Sequence, residues 1–139
     1  MIKEITKDTE ILQKISKKVN PKAKETKELI QDMLDTAMSH KDRCIGLAAI
    51  QIEVPARIII AFDGEKFNAF INPVITNYFG EKYETKEGCM SLEGTRETVR
   101  SHGIEIMHQK NNKFVKEKYT GRYAQILQHE VDHLNGKLI

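Results

Sequence analysis

The sequence predicts an α+β fold: an amphipathic helix nearer the N-terminus, a run of strands with hairpin connections, and a C-terminal helix carrying an H-E-x-x-H motif. Three observations predict it. Apolar residues recur at helical spacing over 20–40 and again over 121–134. The text between them reads as short strands, and turn residues punctuate those strands at hairpin spacing. With 139 residues, the chain is expected to form one domain, 1–139, able to bury about two thirds of its unfolded surface.

The first predicted helix runs from Asn20 to about His40, with Leu29, Ile30, Met33, Leu34, Ala37 and Met38 on one face and Lys, Glu and Asp on the other. Pro21 falls near its first turn, where a missing N–H costs little. Cys44 to Gln51 is rich in small and apolar residues and reads as a buried loop and strand start. From Arg57 the pattern becomes extended. Ile58–Phe62 is a strand, Asp63-Gly64 a turn, and Phe67–Ile71 the return strand, which Asn72-Pro73 is expected to end. Val74-Ile75, Glu81–Thr85, Thr98–Arg100, Gly103–His108 and Phe114–Tyr119 follow as short extended pieces. The last two are joined at Asn111-Asn112, residues that tolerate left-handed backbone. Helical spacing resumes from Gly121 to Leu134 through Ala124, Leu127 and Val131, and Asn135-Gly136 stops it.

Composition narrows the function. A net charge of +2, with both signs interspersed, gives no basic stripe and no nucleic-acid-binding motif. The charged N-terminal text is unlike a signal peptide, and no stretch approaches membrane-spanning length, so a soluble cytoplasmic protein is expected. Two cysteines, Cys44 and Cys89, read as thiols with separate jobs rather than a disulfide.

The chemistry is concentrated in Gln128-His129-Glu130-Val131-Asp132-His133. On a helix the two histidines lie one turn apart, roughly 6 Å between Cβ atoms, so both imidazoles can reach one metal ion and Glu130 can take a proton from water beside it. A catalytic site normally has a third protein ligand. Ile139 occupies the offset where a metzincin has its histidine, and no acid follows Asp132, so the third ligand is expected upstream. Candidates there are Cys89, His40, His102, His108 and several acids. Cys89 is favoured because Gly88 precedes it and no strong alternation surrounds it, which leaves the backbone free to project the thiolate. His102 and His108 read as surface or rim residues in strand text, and His40 as a helix C-terminal residue. Gln51, at the end of an apolar run, carries an amide able to donate to a bound carbonyl.

Gly46-Leu47-Ala48-Ala49-Ile50-Gln51, Glu87-Gly88-Cys89-Met90-Ser91 and Gln128–His133 together resemble, in order and spacing, the signatures of the peptide deformylase family, and the likeness extends over most of the chain. The resemblance implies mixed or antiparallel strands packed around a central C-terminal helix that carries H-E-x-x-H, and hydrolysis of the formyl group from N-formylmethionyl nascent peptides, with release of formate. It implies one divalent metal, Fe²⁺ in cells and replaceable by Ni²⁺, Co²⁺ or Zn²⁺, held by Cys89, His129 and His133. Carried over on the same basis, Glu130 would act as the base, and Gln51 with the backbone N–H of Met90 would meet the oxyanion. Ile45, Gly46, Leu47 and Arg96 would bind substrate, and the ribosome near its exit tunnel is the implied partner. The chain departs from the family pattern at Cys44, where a glycine is usual, at Met90 for leucine, at Arg122, where the family's helix is mostly apolar, and in ending at Ile139 without the usual C-terminal tail. Cys44 is expected to add a side chain near the substrate and to resist any positive φ that the glycine supplied.

Overall fold

The computed structural model describes residues Met1–Ile139. In chain order the elements are α1 (Thr9–Leu12), α2 (Lys24–Ser39), β1 (Gly46–Ala48), a single 3-10 turn (Ala49–Ile52), β2 (Ile58–Phe62), β3 (Phe67–Gly88), β4 (Thr95–Lys110), β5 (Lys113–Thr120) and α3 (Gly121–Leu134). The five strands form one antiparallel sheet in sequential order, β1-β2-β3-β4-β5.

Alternation along β2 decides the layering. Ile59 and Ala61 point to one core with Ala124, Leu127, Val131 and Leu134 of α3. Ile58 and Ile60 point to a second core with Met33 and Ala37 of α2, Cys44 and Leu47. Both faces of β2 are covered, which is why its sequence is a continuous apolar run rather than an alternating one. Each fully buried isoleucine contributes about 1.5–3 kcal/mol. No helix is long and apolar enough to cross a membrane.

α3 keeps its predicted bounds. It ends in a Schellman-type stop, with Gly136 at φ +76° and the N–H groups of Gly136 and Lys137 bonded to His133 and Asp132 carbonyls. α2 starts three residues after Pro21, later than expected. Asn111 and Asn112 both adopt positive φ, giving the two-residue hairpin turn between β4 and β5.

The strands between them differ from expectation. Phe67 to Gly88 is one strand, not several, and Asn72-Pro73 does not end it. The pairing of β3 with β4 shifts register between Ile71 and Val74, so Pro73 sits in a bulge where no ladder N–H is required. Asn72, at φ +50°, uses its amide to bond both the N–H and the carbonyl of Val19. Thr98–Arg100 and Gly103–His108 likewise merge into β4. His108 is a further correction: it shares the face of Ile104 and Ile106, is buried against Phe70, and pairs with Glu117 rather than lying at the surface.

Candidate active site

α3 presents His129 and His133 one turn apart with their Nε2 atoms 3.2 Å from each other. Cys89 follows the last residue of β3, and its Sγ lies 3.4 Å from His133 Nε2. All three ligand atoms fall within 4.8 Å of one another. Ligand atoms around one tetrahedral ion, with bonds of about 2.0–2.1 Å to nitrogen and about 2.3 Å to sulfur, stand roughly 3.3–3.8 Å apart. The donor set therefore fits a divalent ion in both spacing and chemistry. The sulfur also accepts from the Ser91 backbone N–H and from Gln51 Nε2, each at 3.4 Å.

A buried charged layer supports the ligands. His129 Nδ1 lies 2.8 Å from Glu87 Oε1, which directs the other ring nitrogen toward the ion position. Arg100 grips both Glu87 oxygens, at 2.6 and 3.0 Å, and reaches Asp132 at 2.6 Å, while Gln125 donates to Glu87 Oε2 at 2.9 Å. Burial pushes the Glu87 carboxyl up, but bonds from His129, Arg100 and Gln125 outweigh it and hold it at about 2. Burial disfavours the charged form of His129, yet Cys89 and Glu87 raise it to about 10. Burial and the neighbouring His129 charge lower His133 to about 3.

Glu130 is 4% exposed, and burial pushes its carboxyl up to about 7. Its Oε1 is buried without a hydrogen-bond partner, and its Oε2 packs against Gly46, where an added Cβ would lie 2.6 Å away. Glycine at 46 thus makes room for the carboxylate. Gln51 is locked in place: its Oε1 accepts from the Ala48 N–H at 2.9 Å, which aims its Nε2 at Cys89 and Ser91.

These groups line a cavity of about 320 Å³. Of the expected substrate-binding residues, Ile45 and Gly46 line it, as does Met90. Leu47 does not: its side chain is fully buried in the α2 core, because β1 turns alternate residues to opposite faces. Arg96 also stands outside the cavity lining, with Nη2 bonded to the Glu93 carbonyl at 2.9 Å. Cys44 requires a correction. It has no positive φ, lies buried in the α2 core with Sγ 3.3 Å from the Gly46 carbonyl, and does not line the cavity. Arg122 does line it. Glu87 appeared in the sequence only as a motif letter, and Arg100 and Asp132 received no role. The available signal was a pair of charged residues, Glu87 and Arg100, in strand text.

Residues 2–139 match the family model for polypeptide deformylase. A peptide deformylase of Clostridium beijerinckii is 40% identical over 100% of both chains. One from Pelagibacter ubique is 38% identical over 96% of this chain and 81% of its own. Among solved structures, the Thermotoga maritima peptide deformylase superposes with a TM-score of 0.90 at 32% identity, covering 99% of this chain and 95% of that one. A class I type b enzyme of Acinetobacter baumannii, solved with Met-Ala-Ser bound, gives 0.90 at 25% identity, covering 99% and 97%. With a full-length family match and a Cys-His-His cluster spaced for one ion beside a buried glutamate, this chain belongs to the peptide deformylase family.

Proposed function

We propose that this deformylase, which removes the N-formyl group from nascent N-formylmethionyl peptides, does so with Cys89, His129 and His133 as metal ligands and Glu130 as its base. The observation that carries the assignment is the unpartnered Oε1 of buried Glu130, next to three ligand atoms that converge within 4.8 Å at a cavity. A divalent ion bound there supplies Lewis acidity and makes a water molecule easier to deprotonate.

Everything else falls to the chain. Glu130, raised to about 7, accepts the proton of the attacking water and delivers it to the departing amine as the carbon–nitrogen bond breaks, giving formate and a free N-terminus. Gln51 Nε2 and the Met90 N–H donate to the oxygen on which charge develops. Gln51 is suited to this because its own carbonyl is fixed to Ala48, and its Nε2, which rests on Cys89 Sγ and Ser91 Oγ, gives up one of those two contacts to meet the oxygen. Ile45, Gly46 and Ile126 contribute the wall that receives the methionyl end. The tripeptide held by the Acinetobacter baumannii relative is what deformylation of formyl-Met-Ala-Ser would leave, which supports the same occupancy here.

Thiolate ligation leaves a divalent ion with a formal charge of +1, which suits softer divalent metals, and Fe²⁺ is the ion we assign, with Ni²⁺, Co²⁺ and Zn²⁺ as substitutes. We locate the enzyme in the cytoplasm and its encounter with substrate near the ribosomal exit tunnel, where formylated amino termini emerge. The test is formate release from formyl-Met-Ala-Ser by anaerobically purified protein with its metal quantified. Stoichiometric formate at one metal per chain is expected. Faster cleavage of a blocked internal peptide than of the formyl peptide would overturn the reading.

A further inference from the structure

Beside Glu130, the face of α3 that lines the cavity carries Arg122, Gln125, Ile126 and His129, at the i, i+3, i+4 and i+7 positions of one helical stripe. Its inner end is the metal-ligand histidine. Its outer end is an exposed arginine with no ion pair, in the first turn of the helix. Arg43, also exposed and unpaired, lines the same cavity from the segment preceding β1. Lys86 lines it too, but stands opposite Glu97 in the β3–β4 register and is partly offset by it. The only carboxylates in the lining are Glu87, consumed by Arg100, Gln125 and His129, and Glu130, buried against Gly46. No acid in the lining is left free to neutralise the cations.

Resting on the deformylase reading above, we propose that Arg122, assisted by Arg43, is a specificity-determining residue that favours formylmethionyl peptides with acidic side chains at the second and third positions. Helix geometry sets the reach. Seven residues separate Arg122 from His129, about 10 Å along the axis at 1.5 Å per residue. An extended peptide advances about 3.3 Å per residue, so a substrate with its formyl carbon at the metal position carries its second and third residues past the start of α3. The methionyl side chain stays at the inner, apolar part by Ile126 and Ile45. Exposed ion pairs are weak, and each acidic residue is expected to improve kcat/KM by roughly two- to fivefold at low ionic strength. Such contacts are screened by salt, because the Debye length falls to about 3 Å at 1 M.

The test uses metal-loaded full-length protein and three peptides, formyl-Met-Asp-Glu, formyl-Met-Asn-Gln and formyl-Met-Lys-Lys, at low and high KCl. Affinities of the deformylated products for the same protein are measured by calorimetry as a readout independent of turnover. The expected order is acidic above neutral above basic, in both kcat/KM and product affinity, converging at high salt. Arg122→Gln should bring the acidic-to-neutral ratio toward one, and Arg122→Glu should invert the order. Lys113→Gln, at the far β4–β5 hairpin, should leave the ratio as it is. Equal values for the three peptides at low salt, or an acidic preference that survives in both Arg122 variants with a native melting curve, would overturn the proposal. If no peptide released formate, the deformylase reading would fail instead, while the product affinities would still decide the role of Arg122.

Discussion

Gly46→Ala is the sharpest test of how the base is seated. The new methyl would lie 2.6 Å from Glu130 Oε2, 3.1 Å from its Cδ and 3.0 Å from Ile126 Cγ2. Ordinary contact begins near 3.4 Å, so the carboxylate must retreat from β1 by roughly 0.8 Å, toward the cavity it lines. A misplacement of about 1 Å at a reacting group costs about 10²-fold in rate. Overpacking of this kind destabilises by about 1–3 kcal/mol. The metal ligands are not among the atoms the methyl meets, so metal content should hold. Steady-state formate release, metal quantification and thermal melting on the same preparation separate the three effects. A variant with full metal that kept more than half of parental turnover would show that Glu130 is not held tightly against β1, and the account of Gly46 would be wrong.

Four further outcomes are expected. Glu130→Gln should keep its metal and lose about 10²- to 10⁴-fold in kcat, and turnover above a third of the parent's would remove Glu130 as the base. Cys89→Ala should lose metal and activity together, and a Co²⁺-substituted sample should lose its thiolate charge-transfer absorption; an unchanged spectrum would exclude the sulfur as a ligand. Cys44, whose thiol is raised to about 12 by burial and by the nearby Glu130 and Cys89 charges, should resist iodoacetamide in the folded protein at pH 8 and react only on unfolding; rapid native labelling detected by mass spectrometry would contradict its place in the core. Asp63 is held at about 2 by the Lys66 and Glu65 N–H groups and the Asn68 amide, so its contribution to stability is complete above its ordinary value of about 3.8 and is lost as pH falls toward 2. The stability deficit of Asp63→Ala in urea unfolding should therefore shrink as pH is lowered from 5, and a constant deficit would refute the assignment.

Much of this fold was legible because α2, α3 and the β2–β3 and β4–β5 turns obey local rules: helical periodicity, a glycine stop, and Asp-Gly or Asn-Asn at the turns. The long β3–β4 ribbon was not. From Tyr78 to Lys86 one face is exposed and the other, with Phe79, Tyr83 and Thr85, is only half-buried, so no apolar alternation marks it, and the register shifts at Asn72-Pro73 and Gly80 break the pattern that remains. His108 was misread as a rim residue because its chemistry was weighed above its parity with Ile104 and Ile106. At the site, the Cys-His-His cluster was readable because metal geometry ties chemistry to spacing. The layer behind them was not, since Glu87, Arg100 and Asp132 come from three elements and meet only in three dimensions. Leu47 shows the converse failure, a residue carried over by motif whose side chain faces the other core.

The placement of both imidazoles on α3 also governs when the enzyme can come into being. Translation delivers Gly46, Gln51 and Cys89 first, and every strand of the sheet is made before the helix that bears His129, Glu130 and His133. Until that helix docks, the thiol stands at the end of β3 without nitrogen partners, and the groove it will close has only one wall. A chain that has not yet made α3 lacks two of the three proposed ligands and the proposed base. On the proposed ligand set, ion capture waits until α3 has been made and has docked on the sheet that precedes it in the chain.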